Sequence, residues 1–254
     1  MKISQVAAQL FTLRDFCKTP EDIAQTLKKV SDIGYQAVQV SGFGPIENSE
    51  IVRLCKENNL VICSTHEPSD VVRKEPQKAC DRLKELGCKY TAYPYPAGVD
   101  FFSEDSVNEL IADLKKAVEV FEQNGLVLTY HNHDIEFLRM GEGTILDKIY
   151  NECPIQAELD TYWVASGGCD PERWVRKVAG RTPLIHLKDF KMTGAKEHIF
   201  CEIGYGNLDF KGIIAAAEEG GCEWFMVEQD VCPGDPFDSL KMSFDYIKAN
   251  LAEG

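Results

Sequence analysis

Short runs of apolar and β-branched residues alternate with longer amphipathic stretches along the whole chain. The runs ISQVAAQL (3–10), QAVQVS (36–41), LVICST (60–65), KYTAYP (89–94), LVLTYH (126–131), IQAELD (155–160), PLIHLK (183–188) and EWFMVE (223–228) predict strands. Between and after them, residues near 20–33, 47–58, 75–87, 104–124, 143–152, 170–178, 208–220 and 236–251 carry helical periodicity. Thr19-Pro20 and Asp170-Pro171 place a proline in the first turn, where its missing N–H removes no helical bond. Gly34, Gly87, Gly125 and Gly221 follow apolar periodic segments, the position at which helices end.

Eight strands, each followed by a helix, in 254 residues predict an α/β protein, a single (β/α)8 TIM barrel. A doubly wound nucleotide-binding sheet would carry a glycine-rich turn after its first strand, and QLFTLRD stands there instead. No low-complexity linker or shift in composition divides the chain, so residues 1–254 read as one domain. The ten cysteines are scattered without a CxxC pair, which points to small buried hydrophobes rather than a disulfide framework or a zinc knuckle. A net charge of −14 argues against nucleic acid and anionic membranes, because both demand a cationic surface. The N-terminus lacks the apolar run of a signal peptide, and no window reaches the roughly 18 apolar residues of a membrane span. The expectation is a cytoplasmic protein whose partner is a small molecule.

In such a barrel, chemistry gathers at the C-terminal ends of the strands. The third strand ends in Ser64-Thr65-His66-Glu67, the fifth in His131-Asn132-His133-Asp134, and the sixth in Glu158-Leu159-Asp160 before Thr161-Tyr162-Trp163. The seventh contains His186, Lys188 and Asp189, and the eighth ends in Glu228-Gln229-Asp230. Four of the five histidines fall at these ends. Each residue alone has an ordinary structural explanation: a hydrogen-bonded histidine, a helix cap, or Lys188 neutralising Glu158. Together they imply a cation, because burying several carboxylates without one is costly. The candidate metal ligands are His131, Asp160, His186 and Glu228, nitrogen and oxygen donors suited to Mn²⁺, Co²⁺ or Zn²⁺. Residues two apart on a strand share a face, so the pairs His131/His133, Glu158/Asp160 and His186/Lys188 can point inward. In each pair the deeper residue is expected to support and the upper one to ligate.

At these residues the sequence resembles the xylose-isomerase-like TIM barrel superfamily, the sugar phosphate isomerase/epimerase group. The segments that carry the resemblance are YHNHDIEF (130–137), ELDTYWV (158–164), PLIHLKD (183–189), EIGYGNLDF (202–210) and FMVEQD (225–230), in that order. The resemblance implies one divalent metal, Mn²⁺, Co²⁺, Zn²⁺ or Mg²⁺. In the ketose 3-epimerases of the group Glu, Asp, His and Glu hold it, and Asp160, His186 and Glu228 match three of these. The strand-five position carries His131, as in the similar motif of inosose dehydratases, with Glu136 a second candidate. A neutral His131 weakens the two-carboxylate proton shuttle of the epimerases. Glu228 is then the expected base, with His133, Lys188 or Glu158 as a second proton relay. Trp163, His66, Glu67 and Asn132 are the expected substrate contacts, and Gly204-Tyr205-Gly206 a weak candidate for a phosphate cradle.

The expected activity is a metal-dependent sugar or sugar phosphate isomerase or epimerase, working next to a carbonyl through an enediolate. Dehydration of a keto-sugar or keto-inositol on the same site is the second reading, and a non-catalytic sugar-binding barrel a remote third. An apurinic endonuclease would need a three-metal cluster with more histidines and a basic rim, against the five histidines and −14 charge here. The resemblance also allows a homodimer.

Overall fold

The computed structural model describes residues 1–195 and 197–253. Eight parallel strands form a closed barrel: β1 (Val6–Gln9), β2 (Ala37–Val40), β3 (Val61–His66), β4 (Tyr90–Tyr93), β5 (Val127–His131), β6 (Gln156–Asp160), β7 (Leu184–Leu187) and β8 (Trp224–Val227). Each strand hydrogen-bonds its successor in sequence, and β8 closes on β1 through Val6 opposite Phe225. Helices follow the strands and cover the outside, so most of the strand residues are buried and the runs read as continuously apolar.

The inward face is layered with the two-residue period of a strand. Ala7, Ala37, Leu184 and Met226 contribute to a small apolar plug inside the barrel. Two residues on along the same four strands stand Gln9, Gln39, His186 and Glu228, all buried. The chemistry therefore rests on a dry floor and opens toward the C-terminal strand ends.

Helix starts agree with the expected caps. Thr19 and Asp22 form a reciprocal capping box ahead of Pro20–Ile33, and Asp170 accepts from the Arg173 N–H ahead of Pro171–Lys177. Gly34, Gly87, Gly125 and Gly221 all adopt positive φ. All ten cysteines are free, eight of them buried, as expected of small hydrophobes. Among the described residues no helix is long and apolar enough to cross a membrane.

Other segments depart from the sequence reading. The first strand is only four residues, because Ile3–Gln5 and Leu10–Phe16 wind into 3-10 turns on either side. An antiparallel hairpin, Asp189–Gly194 with Glu197–Cys201, follows β7 where no element was expected. A short helix, Thr161–Ser166, starts directly at the end of β6, capped by Asp160.

Gly34 ends its helix at φ 122°, and a Cβ there would lie 2.6 Å from Cε1 of Phe244. Gly34→Ala is expected to cost about 1–3 kcal/mol through backbone strain and this clash. A urea melt of the variant, with its m-value unchanged, checks the figure.

Candidate active site

The lower tier of the site is a closed hydrogen-bond network. Gln9 Nε2 donates to Gln39 Oε1 at 2.7 Å, and Gln39 Nε2 donates to Glu158 Oε2 at 2.7 Å and Ser64 Oγ at 3.1 Å. His186 Nε2 faces two acceptors, Gln39 Oε1 at 2.7 Å and Glu158 Oε1 at 3.1 Å, so that nitrogen must carry a proton. His66 Nε2 meets the same Glu158 oxygen at 2.7 Å. Glu158 thus fixes both rings from below.

The other edge of His186 looks upward, with Nδ1 2.9 Å from Glu228 Oε2 and 3.7 Å from Asp160 Oδ2. His131 completes the upper tier. Its Nδ1 lies 3.3 Å from the Pro94 carbonyl and donates to it, which leaves Nε2 as an acceptor 3.4 Å from Asp160 Oδ2. Neither His131 Nε2 nor Asp160 Oδ2 has a hydrogen-bond partner, although both are buried. Two acceptors held face to face in a dry site lack a cation between them. One donor atom from each of His131, Asp160, His186 and Glu228 falls within 4.8 Å of the others. The donor set and its orphaned atoms fit a divalent ion of the kind that takes nitrogen and oxygen ligands.

Lys188, 1% exposed, is the resident cation of this tier. Its Nζ lies 2.7 Å from Glu228 Oε2 and 3.1 Å from Asp230 Oδ2. It also lies 3.0 Å from Asp160 Oδ2, off the hydrogen-bonding direction. Burial pushes the Asp160 and Glu228 carboxyls up, but Lys188 and His186 outweigh it and hold both well below the usual range. Asp230 goes the other way: burial and the neighbouring Glu228 push it up to about 6. Burial pushes His131 and His133 down, so both rings are neutral at pH 7.

Above the tier opens a cavity of about 380 Å³. Glu228, Lys188, Asp230, His131, His133 and His66 supply its polar wall. Trp163 supplies a flat one, with its ring centroid 5.3 Å from that of His133. Trp163 is placed by Asp160, whose Oδ1 accepts its backbone N–H at 3.0 Å, so one residue both faces the cluster and anchors the aromatic wall.

A model of the family described as xylose isomerase-like TIM barrel matches residues 27–249. The chain belongs to that family. Two curated relatives are inosose dehydratases, from Mesomycoplasma hyopneumoniae strain J and Clostridium beijerinckii. Each is 25% identical; the first match spans 97% of this chain and 95% of that protein, the second 88% of both. Among solved structures, a sugar phosphate isomerase/epimerase from Parabacteroides distasonis aligns with TM-score 0.80 at 21% identity, over 99% of this chain and 96% of the other. An L-ribulose 3-epimerase aligns with TM-score 0.76 at 16% identity, over 98% and 94%. These structural likenesses show a shared barrel fold.

Within this xylose isomerase-like barrel the expected residues sort by height. His131, Asp160, His186 and Glu228 converge, and Lys188, His133, His66, Glu67 and Trp163 line the cavity. On β6 the expected order of height is seen, with Glu158 deeper and Asp160 in the cluster. On β5 and β7 it reverses, because His131 and His186 join the cluster while His133 and Lys188 stand above it. Glu158 lies beneath the cavity rather than in its wall, and His66, His186 and Gln39 satisfy it in place of Lys188. Asn132 also falls outside the wall. Its Oδ1 accepts the Asp160 N–H at 3.0 Å and ties β5 to β6. The Gly204 and Gly206 N–H groups donate to Asp189 Oδ2 at 2.9 and 3.1 Å, so the chain's own carboxylate fills the expected phosphate cradle. Gln9, Gln39, Phe11 and Tyr95 were not anticipated, and Asp230 was noted at its strand end without a role. For the two glutamines the signal was there: each is a polar residue two places after an alanine in an otherwise apolar strand.

Glu136, the second strand-five candidate, is turned away from the cluster. The chain after β5 turns through Ile135–Phe137, and the Glu136 carboxylate accepts from the His133 N–H at 2.8 Å and the Tyr130 hydroxyl at 3.0 Å. Burial pushes its carboxyl from 4.5 up to about 7. A folded-state value above the unfolded one makes the proton stabilising, fully below about 4.5 and lost as pH rises through 7. Glu136→Gln should therefore raise stability at pH 8, by up to about 3 kcal/mol, and change little at pH 5. Melts at the two pH values check this, and metal analysis of the variant should show wild-type uptake.

Proposed function

We propose that this chain is an enzyme, acting as one barrel domain, that removes a proton next to the carbonyl of an uncharged sugar-like polyol and expels water from the adjacent carbon. The observation that carries this reading is the pairing at the cavity floor: one ionised carboxylate, Glu228, stands 2.7 Å from one ammonium, Lys188. Strand five faces them with the neutral rings of His131 and His133. That arrangement supplies one base and one acid rather than two opposed carboxylates. It agrees with the full-length likeness to inosose dehydratases.

His131, Asp160, His186 and Glu228 would hold a divalent ion, which when bound supplies a Lewis acid for a carbonyl and its neighbouring hydroxyl. Glu228 takes the proton from the carbon next to the carbonyl, and the C–H electron pair moves into the enediolate. As the enediolate collapses back to the carbonyl, that pair forms the new C=C bond, the hydroxyl on the next carbon leaves with its own C–O pair, and the Lys188–Asp230 pair provides the proton that turns it into water. Asp230, pushed up to about 6, can recharge Lys188 from solvent. Trp163 covers one face of the ring, and the burial of the floor excludes bulk water.

Isomerisation or epimerisation is the second reading, because the same first step leads to it if the proton returns instead of the hydroxyl leaving. His133, in the cavity wall with an unpartnered Nδ1, favours it as the group that returns a proton.

Incubating the protein with Mn²⁺ and a panel of keto-inositols and ketohexoses in D₂O tests the proposal. Loss of water from a substrate, followed by mass spectrometry, is the expected result; deuterium gained without loss of water would select the isomerase reading. Glu228→Gln should lower turnover about 10²–10⁴-fold. Lys188→Met should slow elimination by a similar factor while deuterium exchange at the carbon next to the carbonyl continues. Asp160→Ala should abolish metal retention.

A further inference from the structure

The cavity above the cluster has His66 in its wall. A second hollow of about 590 Å³ opens beside it, and Ser41, Gly42, His66, Glu67 and Pro68 line both spaces. The ends of β2 and β3 therefore form a shared wall around which one ligand can extend. Each space alone falls within the roughly 300–1,000 Å³ of small-molecule sites. A single ring placed against Glu228 and Lys188 occupies the first and leaves the second unused.

The lining of the second hollow says what would fill it. Phe43, Pro68 and Val71 give an apolar wall. Asn48, Lys78, Asp81, Arg82 and Glu85 give a polar one, mixing donors and acceptors. The charges do not favour an anion: Glu67, Asp81 and Glu85 oppose Lys78 and Arg82. The Arg82 guanidinium is also already engaged, paired with the buried Glu67 and donating from Nε to Asn48 Oδ1 at 3.1 Å. Asn48 Nδ2 in turn donates to Glu85 Oε2 at 2.6 Å. A phosphoryl group would meet more acid than base. A purely apolar group would strand the polar wall. An uncharged hydroxylated ring, with an apolar C–H face and hydroxyls at its edge, satisfies both.

We propose that this hollow is a second sugar subsite, so that the preferred substrate is a carbonyl sugar or polyol bearing a further uncharged glycosyl ring. This rests on the reading of the cluster as a site for a sugar-like carbonyl compound. Calorimetric titration of the Mn²⁺-loaded protein with fructose and with the ketose disaccharides isomaltulose, turanose and lactulose tests it. At least one disaccharide is expected to bind about tenfold or more tightly than fructose. Val71→Trp, which fills the hollow, should bring that ratio back to near one, and Phe43→Ala should lower it; melting curves verify that both variants fold. Disaccharides that bind no better than fructose, or a gain that survives Val71→Trp in the folded variant, would overturn the subsite while leaving the cluster's sugar reading standing. Failure of the wild type to bind fructose and disaccharides alike would overturn both.

Discussion

Negative charge buried at the C-terminal end of the barrel is the constraint to which the rest of the site answers. Glu158, Asp160 and Glu228 are each at most 4% exposed. A carboxylate stripped of water is tolerable only with charge partners and a full set of donors. The fold supplies these in tiers. Gln39, His66 and His186 serve Glu158, while Lys188 serves the three carboxylates above it. His131 Nε2 and Asp160 Oδ2 are still left without a hydrogen bond, and their four-residue cluster could hold a further cation. The same constraint sets the acid–base properties. Lys188 keeps Glu228 ionised and able to accept a proton, whereas Asp230, at the edge of the pair, is pushed toward the protonated form.

Much of the barrel could be read from the chain because two periodicities declare themselves locally. Apolar runs of four to eight residues alternating with amphipathic stretches do not depend on distant contacts, and neither do Thr19-Pro20 or the glycines after helices. The hairpin after β7 did not declare itself. In Asp189–Gly194 and Glu197–Cys201 exposed and half-buried positions outnumber buried ones, so no apolar pattern marks them. The site divides along the same line. His131, Asp160, His186 and Glu228 lie at or near strand ends, and the barrel rule places strand ends together. Glu136 also looked available, but a turn whose course no local pattern fixes aims its carboxylate back at Tyr130 and the His133 N–H. The glycine loop at 204–206 misled for a similar reason. A ring of N–H donors attracts any anion, and Asp189, fifteen residues earlier in sequence, is already there.

Height within the barrel was the other quantity hidden from sequence. A period of two says which residues share a face, not how far each strand climbs before its loop begins. Asp160 pairs in register with His186, while His131 pairs with Glu158, one layer lower. His131 still reaches the cluster because its ring extends further than a carboxylate. Register differences of this kind decide whether the first or second member of an inward pair joins the cluster.

The residue at strand five matters most for the choice of chemistry. A carboxylate there would place a second ionisable base across the cavity from Glu228, and a proton taken from one face of a carbon could return to the other. His131 donates from Nδ1 to the Pro94 carbonyl, which fixes Nε2 toward Asp160 and away from a role as a mobile proton carrier. Burial keeps the ring neutral, so it neither repels a metal nor adds to the negative charge. With His131 held in that way, the groups proposed to carry the elimination gather around one ammonium: Lys188 Nζ is 2.7 Å from Glu228 Oε2 and 3.1 Å from Asp230 Oδ2. In the proposed reaction, a base and an acid on the same side would take a proton and a hydroxide from the same face of neighbouring carbons. Syn elimination needs that geometry, and inversion at a single carbon does not.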